Sequence, residues 1–150
     1  MKRPRYDKVL VTGSEDDLSD YIADSGKCLV VDWRSDEESL TRALAKLLPP
    51  GRLSGEWVDI GGDADLAVTY RGTRVMAGLT GDQPDRYAWL RRMNQILAGD
   101  FELRAFRFTL GDDTHCFLPA RCSWWAAMEE AFPKEVRRVF TKITRRSKFP

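Results

Sequence analysis

A chain of 150 residues, 43% of them hydrophobic and 31% charged, has the composition of one soluble globular domain. The sequence contains no run of 18 apolar residues of the kind that would predict a membrane span. The net charge of +1 hides an uneven distribution, because residues 1–8 carry +3 and residues 133–150 carry +6, whereas residues 9–132 carry −8. The neutral total therefore excludes neither a basic nor an acidic partner, and the distribution itself describes an acidic body between two basic ends.

The cysteines predict the compartment. Cys28, Cys116 and Cys122 are odd in number and show no metal-ligand spacing, and the first two lie in apolar runs where a free thiol behaves as a small hydrophobic side chain. We therefore expect free thiols and a reducing, cytoplasmic location. The basic first residues are not followed by an apolar stretch of signal-peptide length, so neither export nor membrane insertion is expected.

Local signals in the first half predict two helices, a short strand between them and then an antiparallel meander. Residues 9–11 are too short a run to assign. In chain order, the expected elements are a helix from the cap Ser14 to Gly26, a strand over 28–31, a helix from a capping box at 35–38 to 48, and strands over 56–60, 66–70 and 74–79.

The second half predicts helix, strand, turn, strand and helix in unbroken succession. The apolar face of its long strand changes near Ala105, which predicts a β-bulge there. Residues 133–143 fit a helix and a terminal strand equally well, so both remain open. The other elements are a helix over 84–98, strands over 101–110 and 115–118 around a turn at 111–114, and a short helix over 123–132.

These elements predict an α+β fold in a single domain over 1–150. We expect one largely antiparallel sheet of five or six strands, packed on one face by the helices at 35–48 and 84–98 and edged by the short terminal helix. The basic ends, 1–8 and 144–150, lie outside this core, and the sequence leaves their flexibility open.

Catalytic residues are sparse. His115, the single histidine, follows Asp112 and Asp113, and a histidine beside carboxylates can act as a general base. Acidic residues in a tight turn more often serve backbone geometry, and a residue at the lip of such a turn is expected to be exposed. Cys116 points to the opposite strand face from His115, which leaves Cys122 as the only thiol that His115 could activate.

Carboxylates also raise the question of a metal. Asp59, Asp63 and Asp65 could gather around Mg²⁺ or Ca²⁺, but they lack the spacing of a calcium loop, and a hairpin turn explains them more simply. Asp32 precedes a helix start, where capping is the simpler explanation as well. We therefore predict no catalytic residue, metal ligand or cofactor, and keep an acidic cleft formed by Asp32, Asp59, Asp63 or His115 as the alternative for an enzyme or ligand binder.

Partner binding is the preferred interpretation of the tryptophans and the acidic turn. Trp124 and Trp125 are neighbours on a predicted helix and point about 100° apart, so one of them can face a partner while the other enters the core. The predicted partner-binding residues are Trp33, Trp124, Trp125, Asp112 and Asp113. A homodimer contact is an alternative use of the same surface.

The C-terminal bases suggest a second kind of partner. Arg145, Arg146 and Lys148 could bind the phosphates of a nucleic acid, although no groove-reading motif or aromatic platform accompanies them and such runs are usually solvated. Association with nucleic acid through this tail is therefore an alternative to protein binding.

Several short motifs lie along the second half of the chain: Arg86-Tyr87, Leu90, Asn94-Gln95-Ile96-Leu97, Asp100-Phe101-Glu102-Leu103-Arg104, Asp113-Thr114, Phe117-Leu118-Pro119, Trp125 and Met128-Glu129. With these landmarks, about a third of the chain resembles a set of small uncharacterised bacterial α+β proteins. Some proteins of that kind are immunity partners of secreted toxins, and the resemblance implies a protein-binding role. We accordingly expect a non-enzymatic protein-binding module of immunity or inhibitor type, whose acidic body blocks a basic partner surface sterically or electrostatically.

Overall fold

A computed structural model describes residues 4–79 and 86–149. Within these ranges the helices are α1 (Val9–Thr12), α2 (Glu15–Asp24), α3 (Glu37–Leu47), α4 (Arg86–Ile96), α5 (Cys122–Ala131) and α6 (Pro133–Val139), with one 3₁₀ turn at Arg107–Thr109. The strands are β1 (Leu29–Asp32), β2 (Leu53–Ile60), β3 (Asp63–Tyr70), β4 (Thr73–Met76), β5 (Phe101–Phe106), β6 (Thr114–Arg121) and β7 (Phe140–Lys142).

The described strands form two antiparallel sheets. The larger has the order β1-β6-β5-β7, so β1 and β7 are its outer strands, and the smaller is the meander β2-β3-β4. The β2–β3 hairpin turns through Gly61 and Gly62, whose φ angles of 58° and 100° suit a two-residue turn that only glycine and a few other residues adopt easily.

Two hydrophobic cores lie on the two faces of the larger sheet. Side chains alternate along β6, so that Phe117 enters the core shared with α3, α4 and the meander, while Leu118 enters the core shared with α1, α2, α5 and α6. Both residues are almost completely buried. A strand that is apolar on both faces needs cover on both, which explains why helices flank this sheet on either side.

The α+β class is confirmed, whereas the single sheet of five or six strands is not. Each strand of the meander finds its partner next to it in sequence, and all eight residues of β2 pair with β3. The larger sheet instead joins distant segments, since β1 pairs with β6 across more than half of the chain. Local sequence patterns predict strands but not such distant pairing. Helices α3 and α4 share one face of the larger sheet as predicted, whereas α5, which was expected at the sheet edge, packs with α1, α2 and α6 on the other face.

The predicted bulge near Ala105 is also wrong. The register between β5 and β6 runs without interruption from Phe101 to Ala105, and the strand ends at Phe106, where the 3₁₀ turn begins. Thr109 stabilises this turn by donating its hydroxyl to the carbonyl of Phe106 at 2.8 Å and accepting the amide of Cys116 at 3.1 Å. The apolar residues change face because the strand has ended.

The starts of α2 and α3 agree with the capping signals, whereas α5 begins at Cys122 without a side-chain cap. Ser14 and Asp17 form the reciprocal bonds of a capping box at α2, and Asp36 caps α3 one residue later than predicted. Residues 9–11, left unassigned above, belong to α1, and the open segment from 133 is helix followed by the short strand β7. The predicted opening of the helix at 84–85 lies outside the described residues.

None of the helices in the described ranges has both the length and the hydropathy to cross a membrane.

Candidate functional site

His115 is buried, contrary to the expectation that it lies at an exposed turn lip. Its Nδ1 lies 2.5 Å from the hydroxyl oxygen of Tyr87, and its ring stacks obliquely on Phe149 at a centroid distance of 4.4 Å. Burial lowers the pKa of His115, an effect that backbone hydrogen bonding to Asp112 and Leu110 and, less strongly, the Asp112 carboxylate only partly offset. Burial raises the pKa of Tyr87 to about 12. Both groups are therefore neutral near pH 7 and inaccessible to a substrate at the surface.

The thiols do not combine with this histidine. Cys116 lies in the core on the opposite sheet face, as strand alternation predicts, and burial raises its pKa to about 11. Burial likewise raises the pKa of Cys28 to about 12. Cys122 follows the far end of β6, roughly 20 Å from His115 at about 3.3 Å per residue. The structure thus brings none of the three thiols to the histidine.

The carboxylates of the meander do not converge either. Asp65 is buried and accepts backbone amides from Leu66 and Leu79 at 2.8 Å and from Gly78 at 3.0 Å, so its oxygens are occupied. Asp59 accepts the amide of Gly62 in the exposed hairpin turn, and Asp63 is exposed. In residues 4–79 and 86–149, no group of three or more histidine, cysteine or carboxylate side chains is arranged to hold a metal ion.

The segment between β1 and α3 is a capped turn. Asp32 accepts the amide of Arg34 at 2.7 Å, and Asp36 accepts the amide of Ser39 at 2.9 Å and the indole N–H of Trp57 at 3.3 Å. Burial alone would raise the pKa of Asp36, but these hydrogen bonds together lower it. The acidic cleft would need Asp32, the hairpin carboxylates and His115 together. Asp32 pairs with Thr114, next to His115, so these two side chains face opposite sides of the larger sheet, and the hairpin carboxylates belong to the other sheet.

The tryptophan pair divides as its helical spacing requires. Trp125 is 1% exposed and donates its indole N–H to the carbonyl of Glu102 at 2.9 Å, so it belongs to the core and cannot serve as an exposed anchor. Trp124 is half-buried and donates its indole N–H to the carbonyl of Arg5 at 2.7 Å. Trp33 is the most exposed of the large hydrophobic side chains, at 57%.

Trp33 and the acidic turn meet at one end of the larger sheet. The last pair of the β1–β6 ladder is Asp32 with Thr114, so Trp33 and Asp113 follow and precede that pair directly. Val30 pairs with Cys116 two positions earlier and is 50% exposed. Residues directly opposite each other in an antiparallel pair face the same side, so Val30 borders the surface beside Cys116.

A shallow depression continues this surface between α2 and the 3₁₀ turn. Ile22, Phe108, Asp112 and Asp113 contribute to its lining. We call the whole area the edge patch and define it by six residues: Ile22, Val30, Trp33, Phe108, Asp112 and Asp113. It combines partly exposed apolar side chains with carboxylates, the two kinds of group that the core and rim of protein-binding surfaces contain.

The acidic turn places two carboxylates, Asp112 and Asp113, in the edge patch itself. Helix α2, which supplies Ile22, also carries exposed carboxylates at Glu15, Asp16, Asp17, Asp20 and Asp24 and no base, although Asp17, Asp20 and Asp24 line a separate depression on its other side. Across the described parts of the chain, no lysine or arginine forms an ion pair with these five carboxylates or with the acidic turn. Arg34 is the nearby base, and its guanidinium lies 5.1 Å from the centroid of the Trp33 ring.

The C-terminal tail is anchored, although its bases are free to meet a ligand. Arg145, Arg146 and Lys148 are exposed, whereas Phe149 packs on Tyr87 at a centroid distance of 5.2 Å as well as on His115. Reasoning from sequence missed this contact, as it missed Val30, because neither residue stands in a pattern that shows where its strand or tail is placed.

Comparison of the chain with protein-family models, curated proteins and solved structures finds no match.

Proposed function

We propose that this protein is a non-enzymatic protein-binding module that uses the edge patch to cover a basic surface of a partner protein. The observation that carries the proposal is that Val30, on an outer strand, and Trp33, in the turn directly after it, are both exposed near an acidic turn whose carboxylates form no ion pair within the described residues. Exposed apolar side chains grouped in this way more often mark an interface than singly scattered ones do.

Trp33 is the expected anchor. Tryptophan is enriched among the residues that dominate binding free energies, and its truncation at such a position costs about 2 kcal/mol or more, which is roughly a 30-fold loss of affinity. Val30 and Ile22 would add apolar contact around it. Because β1 is an outer strand of its sheet, its free edge is also open to backbone contact from a partner segment.

The acidic rim indicates how partners are selected. Carboxylates at Asp112, Asp113 and along α2 would attract a basic surface and accelerate association, most strongly at low salt. Blocking such a surface is the action expected of an inhibitor or immunity protein, the role that the family resemblance implies. A homodimer through the same patch is disfavoured, since two copies would bring these carboxylates face to face.

The test is affinity capture from a lysate of the organism that encodes the chain. The three baits are the wild type, Trp33→Ala and Ile60→Ala, each tagged at a position away from the edge patch. Ile60 is a matched control, because it is 48% exposed but belongs to the other sheet. We expect a saturable protein partner that is retained by Ile60→Ala and lost by Trp33→Ala. The partner's affinity for an Asp112→Asn, Asp113→Asn bait should fall and should depend less on salt than that of the wild type.

A partner that binds all these baits equally would show that the edge patch is not the interface. The absence of any saturable partner at low salt would contradict the proposal that the protein is a protein-binding module.

Nucleic-acid association through the tail remains the alternative proposal, favoured only by the exposure of Arg145, Arg146 and Lys148. Truncation before Arg145 is a poor test, because it would also remove Phe149, which packs against the core. Replacing the three bases by glutamine keeps that contact. Loss of binding to duplex or single-stranded DNA or RNA by this variant would support the alternative, and equal weak binding by both chains would exclude the tail.

A further inference from the structure

Four basic side chains from four separate parts of the fold converge on a groove of about 540 Å³. Arg5 comes from the N-terminal segment, Lys27 from the turn before β1, Lys46 from the last turn of α3 and Arg121 from the end of β6. Among the described residues that line it, Asp7 is the single carboxylate. We call this feature the basic groove. The cations Lys27, Lys46 and Arg121 are unexpected company for one another, because they come from residues 9–132, the segment with a net charge of −8.

Only one of these cations is neutralised within the described chain. The ammonium of Lys27 lies 2.7 Å from the carboxylate of Asp7, and this contact is the main reason why the pKa of Asp7 is lowered. No described carboxylate forms an ion pair with Arg5, Lys46 or Arg121. Attraction to the C-terminal end of the α3 dipole can explain the position of Lys46 by itself. It does not explain the convergence of Arg5, Lys27 and Arg121 on the same groove. Like charges held in one concave site repel each other and attract an anion.

The walls of the basic groove offer aromatic rings in addition to charge. The polar atoms of its two best-placed aromatic side chains are already occupied: Trp124 donates to the carbonyl of Arg5 at 2.7 Å, and Tyr21 donates to Asp7 at 2.9 Å. What these residues can still present to a ligand is therefore ring surface. Leu118 contributes to an apolar floor beneath them. A ligand that fits this lining combines a negative charge with a flat or apolar group.

We propose that the basic groove binds a nucleotide, with its phosphate among Arg5, Lys46 and Arg121 and its base against Trp124. The volume lies within the range of roughly 300–1,000 Å³ that is typical of small-molecule sites. Guanidinium and ammonium groups are the usual protein ligands of phosphate, and every nucleobase has a face that stacks on an aromatic ring. The site is separate from the edge patch and does not depend on the function proposed there.

The test is isothermal titration of the full chain with AMP, alongside adenosine and inorganic phosphate as ligands that each carry half of the proposed chemistry. We expect AMP to bind at least about tenfold more tightly than either, because a phosphate held by charged hydrogen bonds and a stacked base each contribute about 1.4 kcal/mol or more. An octanucleotide of thymidine, tested in parallel, distinguishes free nucleotides from nucleotides within a single strand. Binding of either source supports the proposal, provided that it depends on the groove cations.

Lys46→Gln is the primary variant, because Lys46 is exposed and its replacement leaves the fold intact. Arg121→Gln is the second, since Arg121 also lies over the ring of Phe101 at 5.0 Å. Each should weaken binding about tenfold or more. Arg74→Gln is the matched control, an exposed arginine on the meander, and should bind as the wild type does.

Three results would overturn the proposal. The first is that neither AMP nor the octanucleotide binds more tightly than adenosine and inorganic phosphate do. The second is unchanged binding by both Lys46→Gln and Arg121→Gln. The third is oligonucleotide binding that is lost on replacing Arg145, Arg146 and Lys148 but not on replacing Lys46, because that would locate the interaction on the tail.

Discussion

Replacing Phe149 by alanine should uncover His115 and loosen the C-terminal tail. The Phe149 ring lies 4.4 Å from the His115 ring and 5.2 Å from the Tyr87 ring, measured between centroids. The tail is also held by a hydrogen bond of 3.2 Å from the guanidinium of Arg91 to the carbonyl of Ser147. Phe149 is thus the apolar side chain that closes one end of the core over a buried histidine.

The cost of the substitution follows from the half-buried position of Phe149. Truncation of a fully buried phenylalanine to alanine costs about 3–5 kcal/mol, so roughly 2 kcal/mol is expected here. For a chain of this length, 1 kcal/mol corresponds to about 2–4 °C in Tm, so Phe149→Ala should lower Tm by about 4–8 °C. Thermal unfolding followed by circular dichroism measures the difference, with Lys148→Ala as the control for an exposed neighbour that should change Tm little.

The single histidine provides a second, local measurement. Since the chain contains only His115, the ring-proton resonance of the untagged protein reports its pKa without ambiguity. In the wild type this pKa should lie below the ordinary value, and in Phe149→Ala it should rise toward that value as water reaches the ring.

The same lowered pKa makes stability depend on pH with a definite sign. The unfolded chain binds a proton at His115 more readily than the folded chain does, so this contribution to stability is complete above the unfolded pKa of about 6.5 and is lost as the pH falls toward the folded pKa. Phe149→Ala should weaken that dependence. If Tm and the titration of His115 both match the wild type, the tail does not cover His115 and the reasoning fails.

Two further substitutions test buried hydrogen bonds, one between α3 and α4 and the other in the meander. Thr41→Val keeps the side-chain shape but removes the hydroxyl that accepts the indole N–H of Trp89 at 3.0 Å, and should lower the free energy of unfolding by about 1–3 kcal/mol in urea titrations. In a double-mutant cycle, Trp89→Phe should remove most of that penalty, and additive effects would contradict the hydrogen bond. Asp65→Asn should cost a similar 1–3 kcal/mol, because Asp65 accepts three backbone amides, whereas the exposed Asp63→Asn should stay within about 0.5 kcal/mol of the wild type. Equal stabilities of these two variants would refute the stabilising role of the hydrogen bonds that Asp65 accepts.

Features that depend on neighbours in sequence were predictable. The capping box at Ser14 and the glycine pair at 61–62 carry their reasons within a few residues, and both lie where the sequence predicts a helix start and a turn. The divergence of Trp124 and Trp125 also follows from helix geometry alone. Which of the two enters the core does not, because that depends on β5, where the carbonyl of Glu102 accepts the indole of Trp125.

Features set by distant segments were not predictable. His115 was expected to be exposed because it follows a tight turn, and it is buried because α4 supplies Tyr87 and the tail supplies Phe149. The edge patch was predicted in part, through Trp33 and the acidic turn. That these residues adjoin is a consequence of the β1–β6 register, which a single sequence does not display. The basic groove was missed for the same reason, as its cations lie up to 116 positions apart.

The two proposed sites give the near-neutral total charge a physical meaning. Strand β6 begins at Thr114 beside the acidic turn and ends at Arg121 in the basic groove, roughly 23 Å apart at about 3.3 Å per residue. The Debye length is about 8 Å at physiological ionic strength, so salt largely screens the acidic turn and Arg121 from each other's charge. A basic protein surface and an anionic ligand can therefore be attracted to different parts of the same molecule at once. It follows that Trp33→Ala should leave AMP binding unchanged and Lys46→Gln should leave partner capture unchanged, because Trp33 does not line the basic groove and Lys46 is not part of the edge patch.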